Sequence, residues 1–237
     1  MGAQKVMVYA ADPDGKWLYR VGGISGIVLG IAYIVIIALY IPIGAPPSGT
    51  EAQLAYLAEH TAVWWAILGL SVLTDFLFVP VALALYLALR GINRDVMLVA
   101  TAFVGLFVVL DLALTWTNYA ALITLSGDYA AATDDAQRAL FVAAANYPST
   151  VLASNLLFVY NSLTLAVGIL MTGLMMRKGI FDRSTAYTGL ATGILGIVAV
   201  AGSFLPGPLD MTIIIASILT TVWVLLAGYR LYRLGQQ

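Results

Sequence analysis

The sequence predicts an all-α polytopic membrane protein, a six-helix transmembrane bundle with two short amphipathic helices on the outer side and both termini in the cytoplasm. Three observations predict this fold. Hydrophobic residues make up 62% of the 237 residues and charged residues only 10%, whereas about a quarter of a soluble domain is charged. The mean hydropathy is +0.96. Six long apolar stretches follow one another, and Lys and Arg cluster in alternate gaps between them.

Each apolar stretch is long enough to cross the hydrocarbon core, for which a helix needs about 20 residues. The predicted spans are residues 21–43, 62–89, 96–125, 151–176, 186–205 and 211–228. The first apolar run is longer than the core of a signal peptide, and no small-x-small cleavage motif follows it, so we expect it to be retained. Residues 1–20 are predicted to form a short cytoplasmic arm, and residues 21–237 a single transmembrane domain.

The basic residues predict which side of the membrane each gap faces. Three precede the first span, two occupy the second gap, three the fourth gap and two the tail. The first and fifth gaps have none, and the third has only Arg138. Because positive residues mark the cytoplasmic side, both termini are expected there. An even number of spans places both termini on the same side of the membrane, which agrees with this orientation.

Two gaps on the predicted outer side carry amphipathic segments. Thr50–Gln53 fits a capping box that opens a helix, after which Leu54 and Leu57 share one face. Residues 133–137 repeat the pattern ahead of Leu140. We expect each helix to lie on the outer interface or to cover the bundle. The similarity of the two segments raises a duplicated hairpin as a hypothesis.

Glycines recur at helical spacing on two spans. Gly22, Gly26 and Gly30 lie four residues apart on the first span, and Gly189 and Gly193 do so on the fifth. Small residues at this spacing let helix backbones approach closely in lipid. We interpret both sets as packing within one chain, with a dimer face as the alternative.

The composition excludes several classes of function. Cysteine is absent and histidine occurs once, which excludes disulfides, thiolate chemistry, iron–sulfur clusters and multi-histidine metal sites. The formal net charge of −1 gives no bulk attraction to nucleic acid. We therefore predict no cofactor, no metal and no nucleic-acid partner. The single histidine, His60, is interpreted as an interfacial polar residue, with a pH sensor or a lone metal ligand as alternatives.

Two carboxylates lie inside predicted spans, where a charge has a high free-energy cost. Asp75 is near the middle of the second predicted span and Asp111 near the middle of the third. Asp75 precedes Arg90 by fifteen residues and Asp111 follows Arg94 by seventeen, so both are about 22–25 Å from the cytoplasmic gap. A charge at the centre of a bilayer costs about 2.5–3.5 kcal/mol, which makes an intramembrane carboxylate a functional candidate.

Other polar residues are expected beside the two acids. Thr115 and Asn118 follow Asp111 at i+4 and i+7, on one helical face, and Ser71 precedes Asp75 by four. Pro80 removes the hydrogen bond to the Phe76 carbonyl and is expected to kink the second span. The fourth span adds Asn161. Together these residues predict a polar pocket between the second, third and fourth spans.

Two interpretations of this pocket stay open. In the functional one, Asp75 and Asp111 bind a proton or cation, and Thr115, Asn118 and Asn161 orient a small ligand. In the structural one, the acids are hydrogen-bonded groups that hold helices together. An intramembrane aspartyl protease is disfavoured, because neither of the motifs of those enzymes, Tyr-Asp and Gly-x-Gly-Asp, is present around Asp75 or Asp111.

The two ends of the chain carry a resemblance. Residues 18–23, Leu-Tyr-Arg-Val-Gly-Gly, and residues 228–233, Gly-Tyr-Arg-Leu-Tyr-Arg, resemble the ends of a family of small prokaryotic multi-pass membrane proteins described only as a domain of unknown function. The resemblance implies the inner membrane of a bacterium or archaeon. It implies no activity and no catalytic residues.

The leading functional hypothesis is a non-enzymatic membrane protein whose mid-membrane pocket binds a small ligand, proton or cation, as a small-solute carrier would. The alternative is a structural or accessory subunit of a larger membrane assembly. Membrane lipids are expected partners, and a small-molecule ligand, a second copy of the chain or other membrane subunits are candidate partners. An enzyme is less favoured, because no nucleophile–base pair can be recognised.

Overall fold

The computed structural model describes residues 15–204 and 210–237, and these residues form helices and no strands. The helices are α1 Lys16–Ile43, α2 Thr50–Glu59, α3 Thr61–Leu89, α4 Arg94–Leu110, a π-helical segment Asp111–Trp116, α5 Thr117–Ala131, α6 Asp135–Leu152, α7 Asn155–Met176, α8 Arg183–Gly202 and α9 Asp210–Leu234. Six helical stretches are long and apolar enough to cross a membrane, with α4, the π segment and α5 forming one of them. The predicted all-α fold with six spans is confirmed.

Several predicted boundaries differ from the structure, and two predicted starts differ by four or five residues. Helix α1 begins at Lys16, so the last five residues of the predicted arm are helical, while residues 1–14 lie outside the described residues. The fourth span begins at Asn155 and not at residue 151. A new helix begins there because the side chain of Ser154 caps α7, accepting a hydrogen bond from the Leu156 amide over 3.2 Å. The last predicted residue of the fifth span, Leu205, also lies outside the described residues.

The six spans form a closed ring in chain order. Helix α1 packs against α3, α3 against α4, α4 against α7, α7 against α8, α8 against α9, and α9 returns to α1. Near the start of α1, Lys16 Nζ donates to the carbonyl of Gln237 over 3.0 Å and Arg20 Nε to that of Gly235 over 2.7 Å. These bonds close the ring at one end, which we call the termini end.

Glycines allow the closest helix contacts within the ring. A Cβ at Gly26 would lie 2.9 Å from the Gly228 Cα, so α1 and α9 meet backbone to backbone. A Cβ at Gly22 would meet the Pro80 carbonyl oxygen at 2.8 Å. On α8, Gly189 faces Trp223 and Gly193 faces α7. The glycine repeats therefore pack against neighbouring helices of the same chain.

The opposite end of the bundle, which we call the cap end, carries α2, α5 and α6. The third span runs for 38 residues from Arg94 to Ala131, or about 57 Å, so it extends well past the roughly 30 Å of hydrocarbon. Its last part, α5, packs against α2 and α6. A second apolar core fills this end, with fully buried Leu54, Leu57 and Trp64.

Helix α2 begins at Thr50 as predicted, but its predicted cap is wrong. Thr50 does not cap α2, since the capping position is Gly49 and no side chain bonds the first turn. The two polar side chains of the predicted box bond instead to α6. Thr50 Oγ1 donates to Asn146 Oδ1 over 2.8 Å, and Gln53 Oε1 accepts from Ser149 Oγ over 2.8 Å. Tertiary hydrogen bonds have replaced the local ones.

Candidate binding site at the π-helical segment

The third span changes its winding at Asp111. Residues 111–116 form a π-helical turn, in which the hydrogen bonds link residues five apart instead of four. Two side chains follow the same spacing: Trp116 Nε1 donates to Asp111 Oδ2 over 3.1 Å, and Thr117 Oγ1 to the Leu112 carbonyl over 2.9 Å. Single π turns inside α-helices often mark functional sites.

The third span also changes its partners at this turn. Helix α4 packs against α7 on the termini side of Asp111, whereas α5 packs against α2, α3 and α6 beyond it. The π segment is thus where the third span leaves the fourth. Asp111 lies at this point of separation, with 8% of its surface exposed.

Asn161 on α7 joins the two spans at the level of Asp111. Its amide nitrogen donates to Asp111 Oδ1 over 2.6 Å and to Thr115 Oγ1 over 2.7 Å. The amide oxygen, Oδ1, is buried and has no hydrogen-bond partner among the described residues. The expected proximity of Asp111, Thr115 and Asn161 is therefore found, although their ligand-binding role stays a prediction.

Asp75 on α3 lies within electrostatic range of Asp111, and it also interacts with the indole of Trp116. It is only 2% exposed. Its Oδ2 is buried without a hydrogen-bond partner in the described part of the chain. The two acids thus share one region of the bundle interior, with Trp116 beside both carboxyl groups.

A cavity of about 200 Å³ opens beside Asp111. Its wall comes from α4, the π segment, α7, α8 and α9. Its polar lining residues are Asp111, Asn161, Ser162, Thr192, Ser217 and Thr220, and its apolar ones are Phe107, Leu165, Ala166, Ile169, Gly196, Ile213 and Ala216. The described lining includes one acid and no Lys or Arg.

The predicted position of the pocket is therefore wrong in part. The cavity lies on the α8 and α9 side of Asp111, and not between the second, third and fourth spans alone. Asp75, Ser71 and Thr115 do not line it. Ser71 is buried within α3, where its carbonyl accepts from Thr74 Oγ1 over 2.7 Å. Asp75 faces the same interior from α3.

Asn118 is also away from the cavity. Its amide donates to the carbonyl of Leu114 over 2.6 Å. The prediction that Asn118 shares a face with Asp111 assumed a regular α-helix, and the π turn rotates the following residues out of that register. Pro80 packs its carbonyl against α1 at Gly22 and is not part of the site. His60 Nδ1 lies 2.9 Å from the Tyr56 carbonyl, within its own helix turn.

Sequence reasoning missed the lining residues of α8 and α9. Each of these hydroxyl groups bonds a carbonyl four residues earlier, as in Ser217 to Ile213 and Thr220 to Ala216. Such Ser and Thr residues are common in spans, so nothing distinguishes them before the helices are assembled.

A second cavity of about 310 Å³ adjoins the first. Leu165, Ser217 and Thr220 belong to both walls. The second cavity is completed by Thr221 and by four residues of α1: Tyr33, Ile36, Ile37 and Tyr40. We call it the α1 groove. Tyr33 lies within electrostatic range of both Asp75 and Asp111, so it marks the end of the groove nearer the acids.

The described residues hold no group of three or more His, Asp or Glu side chains close enough to share a metal ion. Comparisons with known proteins give one match. Residues 21–228 match the model of a family described as a domain of unknown function, DUF4386. No curated protein matches the chain, and no solved structure does.

Proposed function

Since the chain belongs to the DUF4386 family, whose function is unknown, we propose from its geometry that it is a non-enzymatic membrane protein that binds a small, positively charged or proton-donating ligand at Asp111. A small-solute carrier of the inner membrane of a bacterium or archaeon, with both termini in the cytoplasm, fits this proposal. The basic residues concentrated at the termini end support that orientation.

One observation carries the proposal: three acceptor groups converge without enough donors. The carboxyl group of Asp111 accepts hydrogen bonds from the indole N–H of Trp116 and from the amide nitrogen of Asn161. Asp75 Oδ2 and Asn161 Oδ1 have no donor among the described residues. Buried polar groups are nearly always hydrogen-bonded, so unpaired ones call for a partner. A ligand in the cavity that donates hydrogen bonds would supply it at Asn161 Oδ1, and a proton would supply it at Asp75, which lies outside the cavity wall.

The charge of the site favours the same kind of ligand. Two carboxyl groups lie in electrostatic range of each other, and the described lining of the cavity holds no basic side chain. A buried carboxylate is stable only when it is paired or protonated. A cationic ligand would neutralise Asp111, and a proton would do so when the ligand is absent. Ligand and proton would then compete, as a proton-coupled carrier requires.

The residues divide into two roles in this proposal. Asp111 bonds the positive group of the ligand, and Asn161 positions Asp111 while offering its own Oδ1 as a second acceptor. Ser162, Ser217 and Thr192 line the cavity and would bond polar atoms of the ligand. Asp75 lies outside the cavity wall and would hold the proton that its neighbour releases. Thr115 fixes the orientation of Asn161.

The structural-subunit alternative has its own support. Asn161 ties α7 to the third span through two short hydrogen bonds, which is what a packing role requires. In membrane proteins such bonds contribute about 0.6 kcal/mol on average. A packing role does not explain why Asn161 Oδ1 and Asp75 Oδ2 have no hydrogen-bond partner among the described residues, however. The binding function therefore accounts for more of the site.

Methylammonium binding to the purified protein tests the proposal. We expect calorimetry to show binding to the wild type that weakens at least about tenfold in Asp111→Asn, because a charged hydrogen-bond partner is lost. Asp95→Asn is the matched control, since Asp95 is exposed at the start of α4, and it should bind like the wild type. Binding that is absent in the wild type, or equal in Asp111→Asn, would overturn the proposal.

A further inference from the structure

The α1 groove is open to the bilayer side of the site and differs from the Asp111 cavity in chemistry. Ile36, Ile37 and Leu165 give it a mainly apolar wall, and its hydroxyl groups come from two tyrosines of α1 and from Ser217, Thr220 and Thr221 of α9. Its near end, at Tyr33, lies within electrostatic range of the two acids. Its far end, at Tyr40, is seven residues along α1, or about 10 Å.

The groove and the cavity form one continuous path, since they share Leu165, Ser217 and Thr220. One end of this path holds the carboxyl group of Asp111 and the unpaired acceptor Asn161 Oδ1, and the other is long and mainly apolar. A ligand complementary to the whole path has a positive, hydrogen-bond-donating head and an apolar tail about 10 Å long.

We propose that the ligand is an amphipathic amine, with its ammonium head at Asp111 and its alkyl tail in the α1 groove. This inference rests on the proposed function and adds the class of ligand. The head replaces the missing donors at Asn161 Oδ1 and neutralises Asp111. The tail lies against Ile36 and Ile37, of which Ile37 is 43% exposed.

Such a ligand would enter from the bilayer. Ile37 and Ser217 are both exposed on the surface of the bundle, in helices long and apolar enough to span a membrane, so the α1 groove would be accessible to molecules dissolved in the bilayer. An amphipathic amine concentrates in that phase through its tail. Entry along the groove would bring the head to Asp111 without passing the cap end.

Two probes separate head from tail: methylamine, which has only the head, and octylamine. In the wild type we expect octylamine to bind more tightly than methylamine. Ile37→Trp fills the groove with a large side chain and should weaken octylamine binding about tenfold or more, since each methylene excluded from an apolar site costs about fourfold in affinity. Methylamine binding should not change, because the cavity at Asp111 is untouched.

Ile34→Trp is the matched control. Ile34 lies on the same helix, is 51% exposed and does not line the groove, so both amines should bind this variant as they bind the wild type. All affinities are measured at the same detergent concentration. The partitioning of octylamine into detergent micelles is then the same for every variant and does not affect the comparison. Ile37→Ala, which cannot clash, guards against misfolding of the Trp variant and should weaken octylamine binding severalfold.

The outcomes distinguish the two proposals. Octylamine binding that is equal in the wild type, Ile37→Trp and Ile37→Ala would overturn the amphipathic-ligand inference, and the groove would then accommodate bilayer lipid only. Methylamine binding that persists and depends on Asp111 would still support the proposed function. Failure of both amines to bind the wild type would overturn both proposals together.

Discussion

The indole N–H of Trp116 donates to Asp111 Oδ2 over 3.1 Å, from five residues further along the same span. This bond depends on the π turn, since a regular α-helix would place residue 115 over Asp111. With Oδ2 held by its own helix, Oδ1 is left to face α7, where Asn161 meets it. The wide turn thus aims Asp111 at the cavity.

Replacement of Trp116 by Phe should destabilise the protein by about 0.5–2 kcal/mol, because an aromatic ring is kept while the indole N–H that donates to a buried carboxyl group is lost. The free energy of unfolding in detergent is the measurement. Trp65→Phe is the control, since Trp65 is 45% exposed and should change stability by less than about 0.5 kcal/mol. Equal effects of the two substitutions would contradict the assigned role of the indole.

A double-mutant cycle on Asp111 and Asn161 should show coupling of about 0.5–2 kcal/mol, because their side chains share a 2.6 Å hydrogen bond. The variants are Asp111→Asn, Asn161→Ala and their combination, and unfolding free energy is measured for each. Asn161→Ala with Thr124→Ala is the control cycle. Thr124 is exposed and bonds the Ala120 carbonyl, so these two changes should add within about 0.5 kcal/mol. Full additivity at Asp111 would mean that the bond contributes nothing.

The spans could be predicted from the sequence because hydropathy over 20 residues averages out local detail. The depths of Asp75 and Asp111 followed from the same count of residues, and the two carboxyl groups do lie in electrostatic range. Their position near one another is a property of span length and of short connections, which the sequence displays directly.

The π turn could not be predicted, and the error at Asn118 follows from it. Asn118 was placed with Asp111 on the assumption of an unbroken 3.6-residue period, and the turn moves it away. Thr192 and Thr220 could not be found because their helices reach the site only through the closure of the ring. Thr50 failed as a cap for a related reason, since Asn146 lies 96 residues away in the chain.

Two glycines with opposite surroundings test the packing of α1 on α9. Gly26→Ala should destabilise the protein by about 1–3 kcal/mol, because its Cβ would lie 2.9 Å from the Gly228 backbone and the helices would have to separate. Gly69→Ala, in α3, meets nothing within 4 Å and should stabilise by up to about 1 kcal/mol through helix propensity. Thermal unfolding of both variants measures the difference in sign. A stable Gly26→Ala variant would contradict close packing of α1 on α9.

The absence of cysteine from the sequence makes the proposed orientation testable with single thiols. Gln236→Cys lies at the termini end and Ala136→Cys at the cap end, and both positions are exposed. In intact cells a membrane-impermeant maleimide should label Ala136→Cys and leave Gln236→Cys unlabelled until the membrane is opened. The reverse pattern would place the termini outside. The cysteine-free wild type gives the background.

Asp182 gives the protein a dependence on pH at the termini end. It caps α8 by accepting the Thr185 amide over 2.8 Å. The nearby Thr185 hydroxyl and amide and the positive charge of Arg230 hold the pKa of the Asp182 carboxyl below its ordinary value. A carboxyl with a lowered native pKa binds protons more readily in the unfolded state, so its contribution to stability is present above the unfolded pKa of about 3.9.

That contribution should be lost as the pH falls from about 5 through the native pKa of Asp182. Asp182→Asn keeps a capping side chain but cannot titrate. The wild type should therefore be the more stable of the two at pH 7, with the gap in Tm closing as the pH approaches 3. Thermal unfolding of both proteins across this range measures the gap. A constant gap would mean that the charge of Asp182 does not stabilise α8, and that its carboxylate oxygen acts through the hydrogen bond alone.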